Sequence, residues 1–263
     1  MPLSYAEFKS KVSTLVGIDL FLYKSQQMDR RIHSLMTLWG LKSYEEYLEV
    51  LTNNPVRFQE FLKKLTINVS EFFRNPERYM DLWETILPEL LKERPRIKIW
   101  SAGCSNGAEP YSVAIILNEL SALSRATLLG TDLDATVLAK ARAGVYAENE
   151  IRSLPPELVE KYFREDRGYY HLSDYILKAV TFKKHNLLVD RFEHDFDLII
   201  CRNVVIYFTE EAKNELYKKF YRSLRPGGYF WVGGTEPLLN YKALGFENTI
   251  SSFYKKIETV EGE

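Results

Sequence analysis

The chain has 263 residues, which suits one large domain or a medium domain with a smaller companion, and its 46% hydrophobic and 27% charged residues are ordinary for a globular protein. Lys and Arg number 35 against 36 Asp and Glu, a balance that argues against bulk nucleic-acid affinity. Two cysteines are too few for a disulfide framework, and their spacing with histidine does not resemble a zinc site, so we expect no metal site. The sequence shows neither a signal peptide nor the ~20 consecutive apolar residues of a membrane span, so we expect a cytoplasmic protein.

Residues 1–75 have the apolar periodicity of helices. A stripe that starts at Met28 predicts one helix, and Gly40 ends it. Ser43 begins a second helix with a capping-box pattern, and Pro55 stands at the first position of a third. No strand is needed in this region, so the sequence predicts an all-α N-terminal domain.

A connecting helix over 76–95, bent near Pro88, leads into a region where short apolar strands alternate with helices. The predicted strands lie at 97–100, 127–131, 196–201, 229–232 and 253–257. Such alternation is typical of a mostly parallel sheet that is covered by helices on both faces. Short strands around 165–183 interrupt the alternation, and we interpret them as a small antiparallel β-subdomain inserted into an α/β domain over 96–263.

A glycine-containing turn follows the first predicted strand. Ligands of open α/β sheets bind at the carboxyl ends of the strands, and the small residues of the turn 101–107, Gly103 among them, allow a ligand to approach the backbone closely. Asp132 ends the second strand and is placed to accept ribose hydroxyls. Glu109 would repel a pyrophosphate but pair with the ammonium of a methionine moiety, which favours S-adenosylmethionine (SAM) over a dinucleotide. The spacing alone leaves open a tight turn that binds no ligand.

Five segments stand out in chain order. They are INVSEFFR at 67–74, WSAGCSNGAEPYS at 100–112, TDLD at 131–134, FDLIICRNVVIYF at 196–208, and LRPGG at 224–228 followed by GTE at 234–236. Together they resemble the motifs of the CheR-type chemoreceptor glutamate methyltransferases. The resemblance implies an α/β, Rossmann-like SAM-dependent methyltransferase domain with a small inserted antiparallel β-subdomain, preceded by an all-α N-terminal domain for receptor recognition. It also implies methylation of glutamate side chains of methyl-accepting chemotaxis proteins, with S-adenosylhomocysteine as the product.

The resemblance also assigns site residues. The positions that match the family's cofactor contacts are Asn68, Ser70, Arg74, Glu109, Asp132, Asn186, Leu187, Arg202 and Asn203. Gly103 of the turn joins them as a cofactor-binding candidate, and Tyr207 matches a tyrosine beside the methyl-transfer centre.

Arg74 and Tyr207 are the candidate catalytic residues. A glutamate with a pKa near ~4.3 is ionised at neutral pH, so methyl transfer requires alignment and removal of water rather than a general base. A planar guanidinium suits the orientation of a carboxylate, which fits Arg74. The alternatives are a domain-linking salt bridge for Arg74 and a core position for Tyr207.

Three positions depart from the family pattern, at Ser70, Ala108 and Thr235, and none of these changes removes a needed chemical group. The β-subdomain around Gly168 is short, and it lacks the glycine-flanked insert of members that grip a receptor's C-terminal pentapeptide. We therefore expect the pentapeptide-independent type.

Receptor methylation helices are acidic, so a basic helical surface would attract them. The candidate contacts are Lys24, Arg30, Arg31, Lys63 and Lys64. A solvated helix face is the alternative. We expect a monomer that contacts the cytoplasmic helical domain of a receptor, with no nucleic acid and no insertion into the membrane. The competing functions are a methyltransferase that acts on another acceptor, such as RNA or a small molecule, and a non-catalytic SAM-binding sensor or scaffold.

Overall fold

The computed structural model describes residues 2–65 and 70–257. They fall into two compact units: the first comprises residues 2–65 with Tyr207–Asn214, and the second comprises residues 70–206 with 215–257. Asn68, one of the predicted cofactor-binding residues, lies outside the described residues. Within these ranges, no helix has both the length and the apolar composition that crossing a membrane requires.

Four helices form most of the first unit. Their bounds are α1 (Tyr5–Val16), α2 (Ser25–Leu38), α3 (Tyr44–Asn53) and α4 (Pro55–Leu65), with a 3-10 turn at Leu20–Leu22. Ser4 and Glu7 form a capping box at the start of α1. The side chain of Ser43 accepts a hydrogen bond from the backbone N–H of Glu46 (3.2 Å), so the predicted start of α3 is confirmed.

Aromatic rings fill the centre of this helical unit. Tyr47 is fully buried, with its ring centroid 5.0 Å from that of Phe8 and 5.9 Å from that of Phe61. Met28 and Ile32 are buried along α2, as its predicted apolar stripe requires. The predicted all-α character of the N-terminal region is therefore confirmed.

A later segment of the chain belongs to the same helical unit. The backbone N–H of Lys24 donates to the carbonyl of Tyr207 (2.9 Å), and that of Thr209 donates to the carbonyl of Leu22 (2.9 Å). Between them, Tyr23 and Phe208 form an antiparallel bridge. These bonds extend the helical unit by a short two-stranded pairing that helical periodicity did not predict.

The predicted connecting helix is made of three pieces. They are α5 (Pro76–Asp81), a π-helical turn (Leu82–Ile86) and α6 (Leu87–Glu93). Pro88 has no N–H to donate to the preceding turn, so the ordinary hydrogen-bond ladder cannot pass through it and the helix changes its winding just before it. The interruption or bend expected near Pro88 corresponds to this π-helical turn, while the domain boundaries at residues 75 and 95 stay a prediction.

Ten strands lie in the second unit. They are β1 (Ile97–Ala102), β2 (Ala126–Asp132), β3 (Val145–Ala147), β4 (Phe163–Asp166), β5 (Tyr169–Leu172), β6 (Val180–Lys184), β7 (Phe196–Cys201), β8 (Leu224–Val232), β9 (Phe246–Ile250) and β10 (Phe253–Lys256). Seven of them form one sheet in the order β6-β2-β1-β7-β8-β10-β9. The first five strands of that order are parallel, and β10 is antiparallel to both of its neighbours. The strand order reverses between β1 and β7, which is where ligands of open α/β sheets bind.

Six further helices follow β1 in the described part of the chain. They are α7 (Ala108–Glu119), α8 (Ala135–Ala143), α9 (Glu148–Ile151), α10 (Pro156–Tyr162), α11 (Asp174–Leu177) and α12 (Glu210–Ser223), with 3-10 turns at Leu123–Arg125 and Val205–Tyr207. Nine of the twelve residues of α7 are buried, so this helix lies in the core and places its first turn against the switch point between β1 and β7. The predicted α/β fold class is confirmed.

The small antiparallel sheet differs from the predicted β-subdomain. It consists of β3, β5 and β4 in that order, so it already begins at Val145. The interpretation of the whole range 165–183 as antiparallel strands is wrong, because Ile176 lies in α11 and β6 pairs in parallel with β2 in the main sheet. As an edge strand, β6 is only half buried, and its alternating pattern looked like an antiparallel strand. β9 was not predicted.

Candidate active site

The turn after β1 packs tightly against the turn after β7. Gly103 has a φ of +80°, and a Cβ built on it would lie 2.5 Å from Cγ2 of Val204. The backbone N–H groups of Gly103 and Cys104 both donate to the carbonyl of Thr131 at the end of β2 (2.8 and 2.9 Å). A side chain at position 103 would therefore separate the two turns that flank the switch point.

Glu109 lies in the first turn of α7 and faces this switch point. Its carboxylate accepts a hydrogen bond from Oγ of Ser101 (2.7 Å) and lies 3.6 Å from Nη1 of Arg202. Burial raises the pKa of Glu109, and the nearby guanidinium of Arg202 lowers it in part. The result is a nearly buried carboxylate that faces a cation-lined edge.

Asp132 ends β2 beside the turn. Its two carboxylate oxygens accept backbone hydrogen bonds from Ser105 (2.8 Å) and Asp134 (3.0 Å), and its carbonyl accepts the N–H of His185 (2.9 Å). Burial raises the pKa of Asp132, and the backbone hydrogen bonds act in the opposite direction. Each oxygen keeps a further lone pair for a ligand hydroxyl.

Arg202 follows β7 and has only 3% of its side chain exposed. It donates to the carbonyl of Arg74 (2.7 Å) and to Oδ1 of Asn75 (2.9 Å). Its guanidinium carbon lies 4.4 Å from the ring centroid of Trp231. Arg202 therefore ties the turn that carries Arg74 to the end of β7, and the predicted site residues Arg74, Glu109 and Arg202 come together.

The turn that carries Arg74 has an unusual backbone. Phe73 has a φ of +50° and Asn75 a φ of +64°, and the left-handed region is costly for a bulky aromatic residue. The backbone N–H of Phe73 donates to Oγ of Ser112 on α7 (3.1 Å), which holds the turn against the helix that carries Glu109. The charge of Arg74 also acts to lower the pKa of that carboxylate.

The predicted residues Asn186 and Leu187 lie in a turn that follows β6. Oδ1 of Asn186 accepts the N–H of Leu188 (3.0 Å), and a carboxylate oxygen of Asp190 accepts the N–H of Asn186 (2.8 Å). Nζ of Lys219 donates to the carbonyls of Leu187 and Leu188 (3.2 and 3.1 Å). Because β6 pairs with β2, this turn lies beside the strand end that carries Asp132.

Comparison with known proteins decides the family. Residues 3–66 match the family described as CheR methyltransferase, all-alpha domain, and residues 68–252 match CheR methyltransferase, SAM binding domain. The chain belongs to the CheR methyltransferase family. As a CheR methyltransferase it is a SAM-dependent enzyme of chemotaxis, and the competing RNA-methyltransferase and sensor functions are not favoured.

Relatives of this CheR chain are similar over nearly their whole length. A chemotaxis protein methyltransferase of Listeria monocytogenes is 38% identical over 96% of this chain and 97% of its own. One from Borreliella burgdorferi is 36% identical over 91% of this chain and 89% of its own. One from Klebsiella aerogenes is 31% identical over 100% of this chain and 91% of its own.

The residues at the switch point of this CheR chain fit SAM. Glu109 offers a buried carboxylate to an ammonium, and Asp132 offers acceptor oxygens to hydroxyls. Among the described residues, Oγ of Ser105 and Nε of Arg202 are buried polar atoms without a hydrogen-bond partner. Unpaired buried polar atoms at one edge of a sheet are what a polar ligand satisfies. No group of three potential metal-binding side chains occurs within residues 2–65 and 70–257.

Tyr207 belongs to the helical unit of the CheR chain. Its ring lies 5.0 Å from the guanidinium carbon of Arg31, and Nη1 of Arg31 donates to the carbonyl of Leu65 (2.6 Å). A place for Tyr207 beside the methyl-transfer centre stays a prediction. Ser70 is half-buried at the start of the segment that leads to Arg74, and its contact with the cofactor is also a prediction.

Glu236 belongs to the GTE segment at 234–236, but no role in the site was predicted for it. Its carboxylate accepts the backbone N–H groups of Asn203 (2.5 Å), Ile206 (3.0 Å) and Gly233 (3.2 Å), and burial raises its pKa. The signal in the sequence was a carboxylate two residues after the pair of glycines that follows a strongly apolar strand.

Proposed function

We propose that the protein transfers the methyl group of SAM to glutamate side-chain carboxylates of chemoreceptors and forms glutamate methyl esters. The observation that carries this proposal is the convergence of Glu109, Arg202 and the Arg74 turn at the switch point of the sheet. A buried carboxylate that pairs with an arginine suits a zwitterionic cofactor, and a second arginine at the same edge suits a carboxylate substrate.

The residues have separate proposed tasks. Glu109 pairs with the ammonium of the cofactor, and Asp132 accepts its ribose hydroxyls. The turn at Asn186 and Leu187 holds the adenine edge, and the absence of a side chain at Gly103 admits the cofactor next to the backbone. When bound, SAM supplies a methyl group activated by its sulfonium and leaves as S-adenosylhomocysteine.

The acceptor glutamate needs no strong base, because a carboxylate with a pKa near ~4.3 is ionised at neutral pH. The task of the chain is to orient its oxygen and to exclude water. Arg74 performs the orientation through its planar guanidinium. Arg202 donates to the carbonyl of Arg74, and the N–H of Phe73 donates to the hydroxyl of Ser112. These two bonds fix the backbone that carries the guanidinium of Arg74.

The proposed partner is the acidic helical region of a receptor in the cytoplasm, bound without the C-terminal pentapeptide and by a monomeric enzyme. Of the basic candidates in the helical unit, Lys24 lies 3.9 Å from Glu210, and Arg31 contacts Tyr207 and Leu65. The exposed members are Arg30, Lys63 and Lys64. We therefore assign electrostatic attraction of the receptor chiefly to these three side chains.

The test is transfer of radiolabelled methyl from SAM to a receptor cytoplasmic fragment that lacks the pentapeptide. We expect alkali-labile label, as a carboxyl ester gives, and a loss of at least ~100-fold in rate for Arg74→Ala because the acceptor is no longer oriented. Arg78→Ala is the matched control, since Arg78 pairs with Asp81 on the surface of α5.

Alkali-stable label would indicate another acceptor group, and SAM binding without any label on receptor fragments would indicate another acceptor protein. Equal rates for Arg74→Ala and Arg78→Ala would remove Arg74 from the mechanism.

A further inference from the structure

Glu236 is a buried carboxylate whose hydrogen bonds all go to backbone N–H groups. It is 5% exposed and lies in the turn after β8. Burial of a carboxylate is unfavourable unless hydrogen bonds compensate for lost hydration. Three N–H donors give that compensation here, without a salt bridge to Glu236 among the described residues.

Two of the three donors belong to the turn that follows β7. Because β7 and β8 are parallel neighbours that pair Cys201 with Val232, their carboxyl ends lie side by side, and Glu236 reaches from one turn to the other. It binds the N–H groups of Asn203 and Ile206, the first and last residues of the segment after Arg202. A single side chain therefore holds both ends of this segment.

The backbone at Asn203 and at Gly233 leaves room for the carboxylate of Glu236 and for no additional side chain at Gly233. Asn203 has a φ of +59°, a left-handed conformation that needs support from its surroundings. A Cβ built on Gly233 would lie 2.3 Å from Oε2 of Glu236 and 3.1 Å from the N of Asn203. Any side chain at Gly233 would thus displace the carboxylate from the N–H group that it holds.

We propose that Glu236 is a positioning residue for methyl transfer, which fixes the turn after β7 so that Arg202 reaches Glu109 and the carbonyl of Arg74. Arg202 adjoins the left-handed Asn203, so a change of backbone there redirects the guanidinium. The inference rests on the proposed cofactor-binding roles of Arg202 and Asn203, and it does not depend on which protein is methylated.

The test compares Glu236→Gln with Gly233→Ala in the full chain. The amide has nearly the shape of the carboxylate, but one acceptor oxygen becomes an NH₂ donor, so at least one backbone N–H faces a donor. In Gly233→Ala the carboxylate of Glu236 is retained, but the new methyl group displaces it from the N–H group of Asn203. We expect the SAM dissociation constant of both variants to rise by at least ~10-fold when measured well below the unfolding midpoint. Glu247→Gln, a change at an exposed position on β9 outside the site, is the control with wild-type affinity.

If Glu236 only stabilised the fold, both variants would unfold at a lower temperature, but the folded variants would keep the SAM affinity and the kcat/KM of the wild type. That result in either variant overturns the proposal. If Glu236→Gln does not fold, the same comparison on Gly233→Ala decides. Because SAM affinity is measured without a receptor, a wild-type enzyme that fails to label receptors would contradict the proposed substrate and not this role of Glu236.

Discussion

Glu109 shows how one residue can prepare a site for a charged ligand. Its pKa is raised by burial, while Arg202, the hydroxyl of Ser101 and the charge of Arg74 stabilise the charged form. An ammonium that arrives next to it favours the ionised carboxylate strongly. Binding of the cofactor is therefore coupled to loss of a proton whenever the pH is near or below the raised pKa of Glu109.

The sign of this coupling gives a pH prediction. Since the proposed pairing needs the ionised form of Glu109, the affinity for SAM should fall as the pH is lowered through the raised pKa of this carboxyl. Glu109→Gln should weaken binding at neutral pH by ~10-fold or more and flatten the pH dependence, apart from the contribution of Asp132, whose pKa is also raised. Calorimetric titration with SAM at several pH values measures both effects. The exposed Glu77→Gln is the control, and an unchanged slope in Glu109→Gln would contradict the assignment.

At the scale of elements, the turn after β6 is held from outside the site. Lys219 on α12 binds two carbonyls of this turn, while its neighbour Lys218 pairs with Glu215 on the surface. Burial lowers the pKa of Lys219, a desolvation penalty that its contacts with the turn offset. The helix and the edge strand are thereby coupled through one side chain.

We expect Lys219→Met to raise the SAM dissociation constant by ~3–10-fold, because the carbonyls of Leu187 and Leu188 lose their donor and the turn becomes less ordered. Lys218→Met has the same change in charge on the same helix, so it should bind SAM as the wild type does. Fluorescence or calorimetric binding assays would decide, and equal affinities for the two variants would show that the turn does not depend on Lys219.

What the sequence revealed about these elements depended on burial. Central strands such as β1 and β7 are continuous apolar runs and were predicted within a few residues, but the half-buried edge strand β6 was placed in the wrong sheet. The candidate residues at the switch point, such as Glu109 and Asp132, could be predicted because they follow apolar strands and belong to recognisable motifs. The contacts of Glu236 could not, because hydrogen bonds from a side chain to distant backbone N–H groups leave no periodic trace in a sequence.

At the scale of the whole molecule, the total charge is near zero, so attraction of a charged partner depends on single exposed side chains. Arg30, Lys63 and Lys64 of the helical unit are exposed, and we propose that they attract an acidic receptor helix. Attraction of this kind acts mainly on association and is screened by salt.

We therefore expect Arg30→Glu combined with Lys63→Glu to raise the KM for the receptor fragment by ~5–10-fold at low ionic strength, with SAM affinity unchanged. The difference from wild type should shrink as salt is added. Lys42→Glu, an exposed position in the same unit, is the control. A KM that does not respond to the double charge reversal would place the receptor contact elsewhere.

The segment Tyr207–Asn214 has a consequence for how such proteins can be recombined. The helical unit is discontinuous along the chain, because this segment follows most of the second unit in the sequence and pairs with residues 22–24. A fragment cut after residue 65 would expose the backbone groups that the segment satisfies, and such open strand edges favour aggregation. We therefore predict that exchange of the helical unit between homologues succeeds only when residues 2–65 and Tyr207–Asn214 are transplanted together, so that recombination must treat the two pieces as one module.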